Sequence, residues 1–91
     1  MAEQSGERNV IGERIRAARS MLKPPVSQEA LVARLAVRGI YVDRTAISRI
    51  ENRARFLRDY EIIAIAKCLK MPVAWFFEST DQQRARVRRN A

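Results

Sequence analysis

The chain has 91 residues, enough for one small domain with a single modest core. Its composition, 47% hydrophobic and 31% charged, is globular, and its net charge of +8 rests on fifteen arginines against three lysines. A basic balance of this size favours an acidic partner: nucleic acid, an anionic membrane surface or an acidic protein. The single cysteine, Cys68, excludes a disulfide within the chain and fits a reducing cytosol, and the lack of histidine removes the commonest acid–base residue and metal ligand.

Residues 1–8 are polar and read as a disordered start with no apolar signal core, so export is not expected. From Asn9 the pattern turns helical. Ile11, Ile15, Ala18 and Leu22 recur at spacings of four and three, with charged residues between them. The prolines of "KPP", residues 23–25, stop this first helix. Ser27 has the character of an N-cap for a second helix, "QEALVARLAVR". Leu31 and Leu35 form its apolar stripe, with Ala30, Val32 and Val37 as candidates to extend it, and Gly39 ends it.

After a short apolar connection, residues 40–42, Asp43 opens a third helix running to about Glu51 or Asn52. "NRARFLR" then reads as an arginine-rich loop anchored by Phe56 and Leu57. Asp59 is the expected cap of a fourth helix with Ile62, Ile65, Ala66 and Leu69 buried, broken by Met71 and Pro72. "VAWFFE" predicts a short fifth helix that supplies Trp75, Phe76 and Phe77 to the core or its lid. Residues 79–91 are polar and carry Arg84, Arg86, Arg88 and Arg89, the composition of a mobile basic tail. The expectation is therefore an all-α fold, a compact five-helix bundle over residues 9–78, with short connections keeping successive helices adjacent.

The third helix carries the functional signal. Ile47 and Ile50 share one face with Ala46 beside them, and point to the core. The opposite stripe is Arg44, Thr45, Ser48, Arg49 and Asn52: hydrogen-bonding side chains, none acidic. A solvated face usually mixes both signs of charge. A donor-rich face with short hydroxyls suits base edges in a DNA groove. Arg53, Arg55 and Arg58 in the following loop suit phosphates.

"IGERIRAARSML", "SQEALVARL", "RTAISRIENRAR" and "YEIIAIAKCLKMPVAWFF", in that order, resemble the phage repressor and Cro-like helix-turn-helix domains, the XRE family. The resemblance runs from about Val10 to Phe77. It implies a lambda-repressor-like arrangement in which helices 2 and 3 form the helix-turn-helix and helix 3 enters the major groove. It also implies that Arg44, Thr45, Ser48 and Arg49 read bases, and that Ser27, Gln28, Asn52, Arg53 and Arg55 contact phosphates. Gln28 would in addition buttress helix 3, and Arg19 would pair with Glu51. The chain departs from the family pattern in three places. "AVRGIYVD" lengthens the connection between helices 2 and 3, "KPPV" lengthens the first connection, and Arg53 stands where the family usually has glycine.

The reading is a sequence-specific DNA-binding transcriptional regulator, in the first instance a repressor, cytoplasmic and homodimeric on double-stranded DNA. The alternative is an antitoxin or protein-interaction module of the same fold, with a protein partner and DNA secondary. There is no histidine, spaced cysteine pair, glycine-rich phosphate loop or convergent carboxylate cluster, so neither an enzyme nor a bound cofactor or metal is expected. No apolar run approaches the roughly 18 residues a membrane span needs.

Overall fold

The computed structural model describes residues 7–78 of the chain. The basic tail at 79–91 and all but the last two residues of the polar start lie outside them. Among the described residues there are five helices and no strand: α1 (Gly12–Met21), α2 (Gln28–Val37), α3 (Arg44–Glu51), α4 (Asp59–Cys68) and α5 (Val73–Phe76). Helix α3 packs against both α1 and α2, α2 also packs against α4, and α5 closes on α4.

Four of the five helices begin on a side-chain contact at the first turn. At α1 the Asn9 Oδ1 accepts from the backbone N–H of Ile11 and of Gly12, at 3.1 and 2.8 Å. Ser27 Oγ accepts from Ala30 N at 2.9 Å, and Asp43 Oδ1 from Ala46 N at 2.8 Å, so both expected caps close a first turn. The start of α4 differs from the sequence expectation. Arg58 holds the cap position and Asp59 is already helical. The Glu61 carboxylate reaches back to accept from Arg58 N at 2.9 Å, the glutamate half of a capping box.

Three helices end in the same way. The residue after the cap takes a left-handed conformation: Gly39 at φ 85°, Arg53 at φ 63° and Lys70 at φ 59°. The next N–H then returns to a carbonyl one turn back: Ile40 to Leu35, Ala54 to Arg49, and Met71 to Ala66. This is the Schellman closure, which satisfies carbonyls that the helix itself leaves open. Only the first of the three uses glycine, so α3 and α4 end against the steric preference of their own residues.

The core is continuous across the five helices. Ile11, Ile15, Ala18, Leu31, Leu35, Ile47, Ile50, Ile65, Ala66, Leu69 and Phe76 are buried, as the periodicity predicts. Ala64 and Cys68 join them, while Ile62 and Leu57 are only partly buried. Two expected contributors are not in the core. Val37 is 89% exposed, because it is the last residue of α2 and α4 does not reach it. Phe56 is 65% exposed, so Leu57 alone anchors the loop, and the Arg8 guanidinium lies over the Phe56 ring at 5.1 Å. At the closing end, Trp75 packs edge-on against Phe76, and Arg14 covers it 3.7 Å from the ring centroid. Arg14 also donates to the Trp75 carbonyl from Nε and Nη2, at 3.2 and 3.0 Å, which ties α5 to α1. Arg14 is accordingly half-buried.

Candidate nucleic-acid interface

Helix α3 is short, eight residues, and its two faces are chemically separate. Ile47 and Ile50 fix one face in the core. Arg44, Thr45 and Arg49 are exposed and Ser48 is half-buried on the other. These four side chains, with Gln28 from the first turn of α2, line one open depression on the surface. The connection between α2 and α3 is the six residues 38–43, because α2 itself takes up Ala36 and Val37. The lengthened segment thus forms a Schellman turn followed by an extended lead into Asp43, and the start of α3 still lies beside the start of α2.

Beneath that face lies a buried carboxylate. Glu51 is the last residue of α3, and its side chain has no solvent exposure. Arg19 grips it with two donors, Nε to Oε2 at 2.6 Å and Nη2 to Oε1 at 2.9 Å. Gln28 Nε2 donates to Oε1 at 3.1 Å and Arg16 Nε at 3.4 Å. A buried carboxylate loses its hydration, and at a helix C-terminus it also faces the negative end of the macrodipole; these donors offset both costs. Burial pushes the Glu51 carboxyl up, but the hydrogen bonds from Arg19 and Gln28, the positive charge of Arg19 and the hydrogen bond from Arg16 together outweigh it and hold the group below its ordinary value. Arg19 in turn donates to the Val26 carbonyl at 3.0 Å, which fixes the α1–α2 connection to the same cluster.

Gln28 links this cluster to the exposed face. Its amide nitrogen is turned to Glu51, and its Oε1 accepts from Arg44 Nε at 3.3 Å. Arg44 also lies 3.9 Å from Glu29, an ion pair in which both side chains are largely exposed. Sequence reasoning missed Glu29, which is fifteen positions from Arg44 and has no periodic relation to it. Arg49 forms no ion pair among the described residues.

The remaining candidates divide. Ser27 is exposed, but its hydroxyl is occupied as the cap of α2. Asn52 is exposed and accepts from Arg16 Nη2 at 3.0 Å, so it stays beside the α3 surface. Arg53 pairs with Glu7, and Arg8 N donates to the Arg53 carbonyl at 2.7 Å. Arg55 lies 3.5 Å from the buried Glu61. Arg58 is exposed and donates to Tyr60 Oη at 3.0 Å. Arg53 and Arg55 thus each carry a carboxylate partner that the spacing did not reveal.

Two further residues position α3. Gly12 lies where α1 crosses the end of α3: a Cβ there would meet the Ile50 carbonyl oxygen at 2.3 Å and that of Glu51 at 2.7 Å. Asn9 Nδ2 donates to the carbonyls of Ile50 and Arg55, at 3.1 and 2.8 Å, while its Oδ1 caps α1. A glycine inside a helical pattern and an asparagine just before one are both legible signals, of a close approach and of a cap.

Among the described residues, no helix is long and apolar enough to cross a membrane, and no group of three or more His, Cys, Asp or Glu side chains is placed to hold a metal ion. Cys68 is buried, and burial pushes its thiol up. The chain matches no family model, no curated protein and no solved structure.

Proposed function

We propose that this domain binds double-stranded DNA by laying α3 in the major groove. In this reading α2 and α3 are a helix-turn-helix of the phage-repressor and Cro-like kind, the XRE family. Within that class the chain acts as a transcriptional repressor, a homodimer on an inverted repeat. One such helix reaches only a few base pairs, and half-sites roughly 34 Å apart would admit two α3 helices to successive major grooves on one side of the duplex.

The observation that carries this reading is the outward face of α3. Arg44, Thr45, Ser48 and Arg49 stand together with Gln28 around one open surface, and none of the five is acidic. Arg49 offers a guanidinium fork without a carboxylate partner among the described residues, the group best suited to the O6 and N7 of guanine. Thr45 and Ser48 offer short hydroxyls, and the threonine methyl suits thymine. Arg44 is steered by Gln28 and Glu29, which assigns it a more restricted reach than Arg49. Ser27, Gln28 and Asn52 flank the face as contacts to the DNA backbone, and Arg53 and Arg55 would reach phosphates by exchanging their carboxylate partners, Glu7 and Glu61.

Selection from a random duplex-DNA pool with the purified full chain, at about physiological salt, tests the reading. An inverted motif with a defined spacing is the expected result. Salt-sensitive retention without any motif would reduce the function to non-specific binding and favour the alternative, a module of the same fold whose main partner is a protein.

A further inference from the structure

A second surface, apart from the α3 face, is also basic but adds exposed apolar side chains. Tyr60 and Ile63 stand one turn apart on the outer side of α4, 52% and 46% exposed, and Lys67 follows one turn later. Across from them is the turn that ends α2, with Arg38, Gly39 and Ile40. These six side chains and turn residues line one open depression, floored by Ala64. Gly39 holds a positive φ, and nothing lies within 4 Å of where its Cβ would stand, so the backbone at the rim is bare. Val37 and Tyr41 flank the same turn in sequence and are among the most exposed large hydrophobic residues. Exposed apolar side chains gathered around a basic rim mark a binding surface.

We propose that this depression docks an acidic amphipathic segment of a partner protein. The occupant is argued from charge. The charged groups lining the depression are Arg38 and Lys67, both positive, and no carboxylate lines it. Arg34, anchored on the Cys68 carbonyl at 2.8 Å, keeps another guanidinium between α2 and the end of α4. Glu61, on the same helix as Tyr60 and Ile63, is buried and committed to Arg58 N and Arg55. A second copy of this chain seated patch to patch would set Arg38 and Lys67 against Arg38 and Lys67, which is repulsive. A duplex would leave Ile40 and Ile63 against phosphates. A bilayer takes an extended apolar face, and here Ile40, Tyr60 and Ile63 alone offer large apolar groups in the depression. A helix with apolar side chains one turn apart, flanked by Asp or Glu, satisfies both parts: apolar groups beside Ile40, Tyr60 and Ile63, and carboxylates on Arg38 and Lys67.

The site is independent of the DNA reading, and the test keeps the two apart. The isotope-labelled full chain is titrated with a synthetic amphipathic peptide carrying leucines on one face and glutamates on the other, followed by amide chemical shifts. Saturable shifts confined to residues 38–40 and 60–67 are expected, with at least a tenfold loss of affinity in Ile63→Glu and unchanged retention on duplex DNA. A scrambled peptide of the same composition should bind at least tenfold more weakly. Should Ile63→Glu lower the melting temperature, Ile63→Ser reads the same loss. The proposal is overturned by the absence of saturable binding, by equal binding of the scrambled peptide, or by shifts centred on Arg44 and Arg49. It is equally overturned if Ile63→Glu leaves peptide affinity intact, or if the substitution abolishes only self-association or only co-flotation with phosphatidylglycerol vesicles.

Discussion

The two ends of α3 are one short helix apart and opposite in construction. At the C-terminal end, Glu51 is sealed from water and held by Arg19, Gln28 and Arg16. At the N-terminal end, Arg44 and Thr45 are exposed, and Arg44 is held only by long contacts to Gln28 and Glu29. The difference teaches a division of labour. The exposed donors stand on a helix whose axis is fixed from its buried side, and a buried, multiply bonded charge fixes direction as well as position. Removing one partner of such a cluster leaves an uncompensated charge in the interior.

The largest expected effect tests the locked end. Glu51→Ala should destabilise the domain by about 3–5 kcal/mol, because it leaves Arg19 partly buried and unpaired. That is a large part of the marginal stability of a small domain, so thermal melting should show a greatly lowered or absent transition. A loss under about 1 kcal/mol would mean that the two ends of α3 are held alike. The same cluster sets an acid limit. The Glu51 value is depressed in the folded state, so its stabilisation is complete above the ordinary value of 4.5. It is lost as pH falls from there through the folded value. The acid loss should therefore be smaller in Glu51→Gln than in the parent chain when chemical denaturation is followed between about pH 5 and 2.

Gly12→Ala sharpens the comparison without touching any charge. Its Cβ would strike two carbonyl oxygens at the end of α3, and backbone cannot swing aside as a side chain can. A destabilisation of about 1–3 kcal/mol is expected in melting experiments. Gly39→Ala meets no atom, and only its positive φ opposes the change, so about 1 kcal/mol is expected there.

Arg49→Ala tests the exposed face of the same helix, in the last turn beside Glu51. It should leave the melting temperature unchanged while weakening binding to the selected site by about 1–3 kcal/mol, with relaxed preference at one base pair. Equal weakening on every duplex would remove Arg49 from base readout. Arg53→Gly gives the smallest effect. Relief of a left-handed backbone should stabilise the fold by about 0.5–1 kcal/mol, less the exposed pair with Glu7. If Arg53 touches a phosphate, the plot of log affinity against log salt should flatten by roughly one unit.

Much of the helical framework was legible because it is local. The caps at Ser27 and Asp43, the stops at the prolines and Gly39, and the periodic burial of Ile11, Ile15, Leu31, Leu35, Ile47 and Ile50 each depend on residues within a few positions. Two misreadings have the opposite cause. Phe56 and Val37 are apolar at plausible positions, yet no neighbouring element arrives to cover them. The boundary of α4 is a local matter instead: Asp59 is a good cap residue, but the Glu61 carboxylate accepts from Arg58 N three residues back and places the cap one residue earlier.

By itself the sequence determined an all-helical chain, the order and approximate ends of its helices, and a third helix whose outward stripe is basic and free of acids. Periodicity and capping are short-range, so they survive without knowledge of the fold. Only the tertiary structure decided which charges neutralise one another. Arg44 meets Glu29, Arg53 meets Glu7, Arg55 meets Glu61, and Arg16 joins Arg19 on Glu51. Ion pairing depends on distances of a few ångströms between residues far apart in the chain, and only helix packing sets those distances.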